Sequence, residues 1–592
     1  MGNRAKLLLC LLPLVPGALG CAADASSWRR VSARPVTEQL LGAGPAGRAG
    51  WITHGGDWNN QRYVPFDEIN RRTVARLEPV WRHDPEMLFR RNTRNESTPI
   101  VVDDLLIYTD LNDLVVAVDT RDGRERWRYQ PALGPVALCC GMVNRGVAVY
   151  GDKVYLATLD ARVIALRRSN GSVVWNVSAA RPGDGYSFTM APLAAGGKII
   201  VGASGGEFQI RGFVDAFDPE TGRRLWRFWT TPSPEQGGWY GRWSDTTPEG
   251  ERLPRDIAKE KRDSARYADA WWKGGAPVWS TPAYDPALGL LIVGTGEPSA
   301  VDGVMPPGDN LFSTSLIAID IATGTLRWYY QMVPHNLWNL DASSPPVLFD
   351  VTVGDSTIPA VGHAGKTGWV YILDRRIGRR IRRSDPLIPL ENIFPVPSPQ
   401  GVRASPAVRG GSSWPPPAYS PGTGLLYVPA SHVPMLFVTD SAAWRRTGDR
   451  FAHAHFTKLP EKEQFGVLSA VDVSTGKIRW QRKVRGHLMY GGALATAGDL
   501  VFFSESGGWL DALDAATGET LWRERAVEGP AGPPISFLVQ GRQRIAVTSK
   551  RGITVYGLRE GGPAVAGTRG AGDVVSAAVA STGSGGVRSS SR

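Results

Sequence analysis

The sequence predicts an all-β fold of the propeller type, and three observations carry that prediction. The 592 residues include 69 Gly, 44 Pro and 21 Trp, a mixture suited to many short strands joined by tight turns rather than to long helices. A phrase of the form Asp-x-x-(Thr)-Gly-x-x-x-Trp closes successive strand pairs at Asp119–Trp127, Asp218–Trp226, Asp320–Trp328, Asp472–Trp480 and Asp514–Trp522. Asn170–Trp175 is a weaker copy, Asp374–Arg382 keeps Gly378 but loses the Trp, and Trp81 follows a phrase without the Gly, which brings the copies to eight. The third observation is spacing: Asp104 to Trp127, Asp152 to Trp175 and Asp499 to Trp522 each span 23 positions. Equal repeats with a fixed aromatic end are the mark of a blade.

Taken in order, residues 1–25 read as a secretory signal peptide. Arg4 and Lys6 precede an apolar run from Leu7 to Leu14, and small residues close it at Ala18, Gly20, Ala22 and Ala23. That run is too short for a membrane span, and no later stretch of about 18 apolar residues occurs. The mature chain is expected to be exported to the periplasm. Ala18-Leu19-Gly20-Cys21 also resembles a bacterial lipoprotein cleavage site, which would acylate Cys21, although Ala18 stands where Leu is usual. Residues 26–560 are expected to form the propeller. Within one repeat, Gly151-Asp152 turns, Val154 to Thr158 alternates as a strand, Asp160-Ala161 turns and Val163 to Leu166 pairs back. Each Gly frees a tight turn and each Trp is expected to lie between neighbouring sheets. The intervals Trp226–Trp328 and Arg382–Trp480 are long and hold insertions. Gly197 to Trp226 takes 29 positions, its extra residues falling near Gly205-Gly206-Glu207-Phe208-Gln209, and additions to a repeat usually serve a site. Residues 561–592 are Gly, Ala, Ser and Arg without periodicity and read as a disordered tail.

Composition excludes several classes. Hydrophobic residues at 42% exclude wholesale disorder, and charged residues at 21% exclude a multi-span membrane protein. The net charge of +11 arises from 67 basic and 56 acidic residues that are scattered, so no nucleic-acid footprint follows. Removal of the signal leaves the adjacent pair Cys139 and Cys140. Their Cα atoms must lie about 3.8 Å apart, below the usual disulfide range, so a bridge closes a strained eight-membered ring. An oxidising compartment favours that bridge over two buried thiols.

The segment Cys139-Cys140-Gly141-Met142-Val143-Asn144-Arg145-Gly146-Val147-Ala148 resembles the signature of the quinoprotein alcohol dehydrogenases, the methanol and ethanol dehydrogenase family that uses pyrroloquinoline quinone. The Trp phrases resemble theirs too, and the likeness runs from about Trp51 to Leu558. It implies an eight-bladed propeller with the quinone and a metal ion on its axis. On that resemblance the Cys139–Cys140 ring forms one wall of a slot, and Trp279 the opposite stacking face. Arg145, Thr189 and Ser204 take the cofactor carboxylates, Glu96 contacts the quinone edge, and Lys366 reaches the quinone oxygens.

For the metal, Glu207 matches the family carboxylate, a hard oxygen donor of the kind calcium takes. Glu297 stands where the family usually has Asn, and Asn339 where it has the catalytic Asp, so an amide replaces the expected proton acceptor. Asp341, two residues on, or Glu297 or Glu207 are the alternative bases. Asp341 also stands where lanthanide-dependent members carry an extra carboxylate, leaving calcium the leading ion with a lanthanide as the alternative. Ser413 replaces a family Asn. Gly202 to Gly206 fits a nucleophile-elbow pattern but lacks the following helix, and His453 with His455 lack a third metal ligand. With no Cys-x-x-Cys-His for covalent haem, electrons are expected to leave to a soluble c-type cytochrome. The expected function is oxidation of an alcohol or sugar-like hydroxyl. The rival is a non-catalytic propeller scaffold of the cell envelope, for which Asn339 is what decay would look like.

Overall fold

The computed structural model describes residues 34–48, 50–86, 95–300, 305–439, 454–484, 489, 491–505, 507–525 and 532–559. The signal peptide with Cys21, the tail 561–592 and His453 lie outside the described residues. Among the described residues the strands form seven four-stranded sheets, one of five strands and one of three, and the fold is all-β and propeller-like. No helix among them is long and apolar enough to cross a membrane.

One sheet represents the others. Ile100–Val102, Leu105–Thr109, Val115–Asp119 and Glu125–Tyr129 form an antiparallel meander, with Leu105 opposite Asp119 and Ala117 opposite Trp127. In the next sheet the strand expected over Val154–Thr158 runs from Lys153 to Ala157 and is buried at every position. The expected alternation does not appear as alternating burial, because a blade has a neighbour on each face and both sets of side chains are covered. The outermost strand, Val173–Ser178, is the exposed one.

The repeated phrase works at the joints between sheets. Its Asp closes the turn, as when the Asp218 carboxylate accepts from the backbone N–H of Glu220 at 3.0 Å and of Thr221 at 2.8 Å. Its Gly has a second duty that the sequence did not reveal: it seats the Trp of the preceding repeat. Gly123 has φ +72°, and a Cβ there would fall 2.5 Å from the ring of Trp81. The same indole donates to the Thr120 carbonyl at 3.1 Å. Trp127 likewise donates to Arg168, Trp175 to Pro219, Trp226 to Ile321, Trp328 to Arg375 and Trp480 to Ala515. Arg382 takes the place of a Trp, with its aliphatic stem against Gly476. Trp522 donates to Leu77, in the sheet of Trp81, so the chain of joints returns to its start.

That last sheet is built from both ends of the chain. Leu77–His83 pairs antiparallel with Gly552–Leu558, outside Arg542–Ser549 and Ile535–Val539. This explains the orphan copy at Trp81, which supplies the outer strand of a blade whose other three strands come last. The preceding segment, Trp58 to Arg62, sews the first strands of several sheets together. Trp58 donates to the Ala194 carbonyl, Asn60 to Pro282 and Pro346, Gln61 to Leu348, and Arg62 to Ala493 and Pro534. The insertions hold the helix Ile257–Asp263 and the three-stranded sheet of Val402–Ala404, Met435–Thr439 and Ala454–Lys458.

Candidate active site

Topology gathers the expected site residues before any side chain is considered. In a four-stranded meander the first-to-second and third-to-fourth turns lie at one end. The second-to-third connection and the crossing to the next sheet lie at the other. The former turns are tight, as at Gly151-Asp152 and Asn170-Gly171. Glu96, Cys139, Cys140, Arg145, Thr189, Trp279, Asn339 and Asp341 fall in crossings between sheets, and Ser204, Glu207, Glu297 and Lys366 in second-to-third connections. All twelve therefore sit at the same end of their sheets.

Cys139 and Cys140 form the disulfide, with Cα atoms 3.8 Å apart, and both residues are exposed. Their sulfurs and a carboxylate oxygen of Glu207 lie within 4.8 Å of one another. Glu207 is placed there by the added residues of its repeat, whose short helical turn Gly206–Phe208 follows Gly205 at φ +117°. A Cβ on Gly205 would lie 2.0 Å from the Gly185 carbonyl, so only glycine lets the two backbones approach.

Arg145 organises a second group. It donates to Glu96 at 2.6 Å, to the Thr189 hydroxyl at 3.0 Å and to the Trp279 carbonyl at 3.1 Å. The Thr189 and Ser204 hydroxyls are 2.9 Å apart. The guanidinium carbon lies 5.2 Å from the Trp279 ring centre and 5.5 Å from that of Trp414. Burial pulls the Arg145 pKa down, against the opposing pull of Glu96. Its Nε is buried without a partner, a donor left over for a ligand. Trp414 was not singled out from the sequence, although it adjoins Ser413; its aromatic character alone could not separate it from the structural tryptophans.

The third group is acidic. Asp341 accepts from the Glu297 backbone N–H at 2.7 Å through one oxygen and pairs with Lys366 Nζ at 2.6 Å through the other. Lys366 also donates to the amide oxygen of Asn339, whose backbone has φ +56°. Burial raises the Glu297 carboxyl well above its usual range, and Asp341 and Glu207 push it further. Glu207 is raised as well, by burial and then by Asp341. Burial works to lower Lys366, but Asp341 and Glu297 leave it above its ordinary value. Three carboxylates thus face one ammonium, and the raised Glu297 and Glu207 answer first to burial and then to the negative charge beside them. A hard cation suits this donor set, and the Arg145 group suits a flat polyanion.

The chain also resembles known proteins. A family model described as "PQQ: Glucose/ethanol/alcohol dehydrogenase, beta-propeller domain" matches residues 51–385 and 381–545. The chain is 33% identical over 521 residues to the quinoprotein alcohol dehydrogenase PedH of Pseudomonas putida, covering 84% of this chain and 85% of that one. Among solved structures it resembles the quinohemoprotein alcohol dehydrogenase of Comamonas testosteroni, with TM-score 0.76, 28% identity, 90% of this chain and 84% of that chain. It also resembles a europium-containing methanol dehydrogenase, with TM-score 0.70, 29% identity, 84% of this chain and 89% of that chain.

Proposed function

The chain belongs to the PQQ glucose/ethanol/alcohol dehydrogenase β-propeller family, and from that premise we propose that it is an exported, eight-bladed quinoprotein dehydrogenase that oxidises an alcohol or sugar-like hydroxyl. The observation that carries this reading is the approach of both sulfurs of the Cys139–Cys140 ring to the Glu207 carboxylate, which joins a stacking wall to a metal ligand. In this reading that ring and Trp279 would hold pyrroloquinoline quinone, Arg145, Thr189 and Ser204 would take its carboxylates, and Glu96 and Lys366 would contact it. Glu207, Glu297, Asn339 and Asp341 would hold the metal, calcium first and a lanthanide as the alternative. When bound, the quinone supplies a two-electron acceptor and the ion a Lewis acid. Electrons pass on to a c-type cytochrome in the periplasm.

The chain's own part in proton transfer falls to its carboxylates. Asn339 has no basic site, so the hydroxyl proton goes to Asp341, Glu297 or Glu207. The test adds pyrroloquinoline quinone with calcium, or separately with lanthanum, to the purified protein and follows dye reduction across an alcohol panel. Turnover with either ion is expected. Asn339 supports one second reading, a propeller that binds quinone without turning over, and binding without dye reduction under both ions would select it. No binding at all would favour the envelope scaffold. Asn339→Asp is expected to raise the rate about tenfold if that position is the lost base; an unchanged rate assigns the role to Asp341 or a glutamate.

A further inference from the structure

Asp113 lies outside every group described above, yet it is fully buried and holds the disulfide loop from below. It sits in the second-to-third connection of its sheet, Asp110 to Leu114, at φ +60°. One carboxylate oxygen accepts from the Asn144 amide at 2.8 Å, the other from the Leu159 backbone N–H at 2.7 Å, in the next sheet. Asn144 is itself buried and belongs to the segment that carries Cys139, Cys140 and Arg145. Its amide also donates to the Ala157 carbonyl at 2.9 Å, its side-chain oxygen accepts from the Gly146 N–H at 3.0 Å, and its own carbonyl accepts from the Thr109 hydroxyl at 3.2 Å. The cross-links therefore meet one residue before Arg145.

We infer that Asp113 is a positioning residue for the quinone site, fixing through Asn144 the loop that presents the disulfide ring and the Arg145 guanidinium. The inference rests on the proposed quinone reading for its functional consequence, and on the hydrogen bonds alone for its mechanical one. Both Asp113 oxygens face donors, so only the ionised carboxylate satisfies both; a proton on either oxygen sets O–H against N–H. The charged groups facing it from the neighbouring sheet are Asp160 and Arg162. Arg162 is taken by Asp160, at 3.0 and 2.9 Å, and does not neutralise Asp113. Burial, the largest influence, pushes the Asp113 carboxyl up to about 7, against the Leu159 and Asn144 hydrogen bonds. Against a loop opened to water, where the carboxyl keeps its ordinary value, that rise means that ionisation costs the closed arrangement stability, and the contribution of Asp113 declines as pH rises through about 7.

The test uses the full chain with calcium. Pyrroloquinoline quinone binding is titrated by quenching of Trp fluorescence at pH 8, and amide exchange of residues 136–146 is followed at the same pH without quinone. Asp113→Asn, which sets an NH2 group against one of the two donors, is expected to bind about tenfold more weakly than the native protein and to exchange faster in the segment. Native-like affinity with native exchange rates would overturn the inference and leave the quinone reading standing. If the native protein binds no quinone, that reading fails, and the exchange rates alone decide the positioning role: unchanged rates in Asp113→Asn overturn it. Should Asp113→Asn not fold, Asn144→Ala removes the same link from the other side and is read by the same two measurements.

Discussion

Two buried acid clusters occupy this molecule, and they are balanced differently. In the sheet of Trp522, Glu505 and Asp511 are buried together and meet Arg523 and Arg482, so two acids face two guanidinium groups. At the candidate active site Glu207, Glu297 and Asp341 share, among the described residues, one directly paired cation, Lys366 on Asp341. The first cluster is neutralised by the chain that makes it and serves to bind one strand to another. The second carries an excess of negative charge that its own side chains leave standing. The lesson is that burial of acids alone does not mark a site; a deficit of counter-charge does.

The largest effect should come from breaking the deficient cluster. Glu207→Gln removes a hard donor beside the disulfide and is expected to lower metal-dependent dye reduction by about three powers of ten, with metal stoichiometry by calorimetry falling in parallel. A Glu207→Gln protein of ordinary stoichiometry would remove Glu207 from the ligand set. Next in size is pH. Because Glu207 and Glu297 hold protons to higher pH than ordinary glutamates, a metal must displace those protons to bind. Calcium affinity is therefore expected to fall as pH is lowered from 7 to 5, by about tenfold per unit for each proton displaced; a flat profile would contradict it.

Lys366→Gln sharpens the same comparison. Loss of the cation paired with Asp341 should tighten calcium binding by about tenfold, measured by competition with a fluorescent chelator, while slowing dye reduction. Weaker binding would mean that Lys366 supports the ligand set more than it repels the ion. The smallest effect belongs to the balanced cluster. Burial, followed by Asp511, raises Glu505 to about 7, so its ionisation costs folding free energy, and its contribution to stability declines as pH rises from about 4.5 through 7. Glu505→Gln is expected to leave metal binding unchanged and to raise Tm by about 1–2 °C at pH 8 with no gain at pH 4.5.

Much of this was legible in the sequence because the repeat writes its geometry into side-chain types. The Asp, Gly and Trp positions located each joint, and the Cys139-Cys140 to Arg145 run pointed to the candidate site. What stayed hidden is what joins residues far apart in the chain. The duty of Gly123 as the seat of Trp81 is a relation between two repeats, and neither residue signals it alone. The odd copy at Trp81 looked degenerate because its blade is completed by strands at the opposite end of the chain. Asp113 resembled any polar residue in a connection, and the hydrogen bond from Asn144 cannot be foreseen without the register of two sheets. Asn339 was visible as a departure, but its engagement by Lys366 was not.

The sheet shared by Leu77–His83 and Gly552–Leu558 has a consequence for how the molecule comes into being. A growing chain can complete its middle blades one after another, but the wheel stays open until Gly552–Leu558 has been synthesised, and the latch then engages a partner that has waited since the beginning. Clipping either terminus past that strand springs the same seam, so losses at opposite ends of the polypeptide should produce one and the same unsealed molecule.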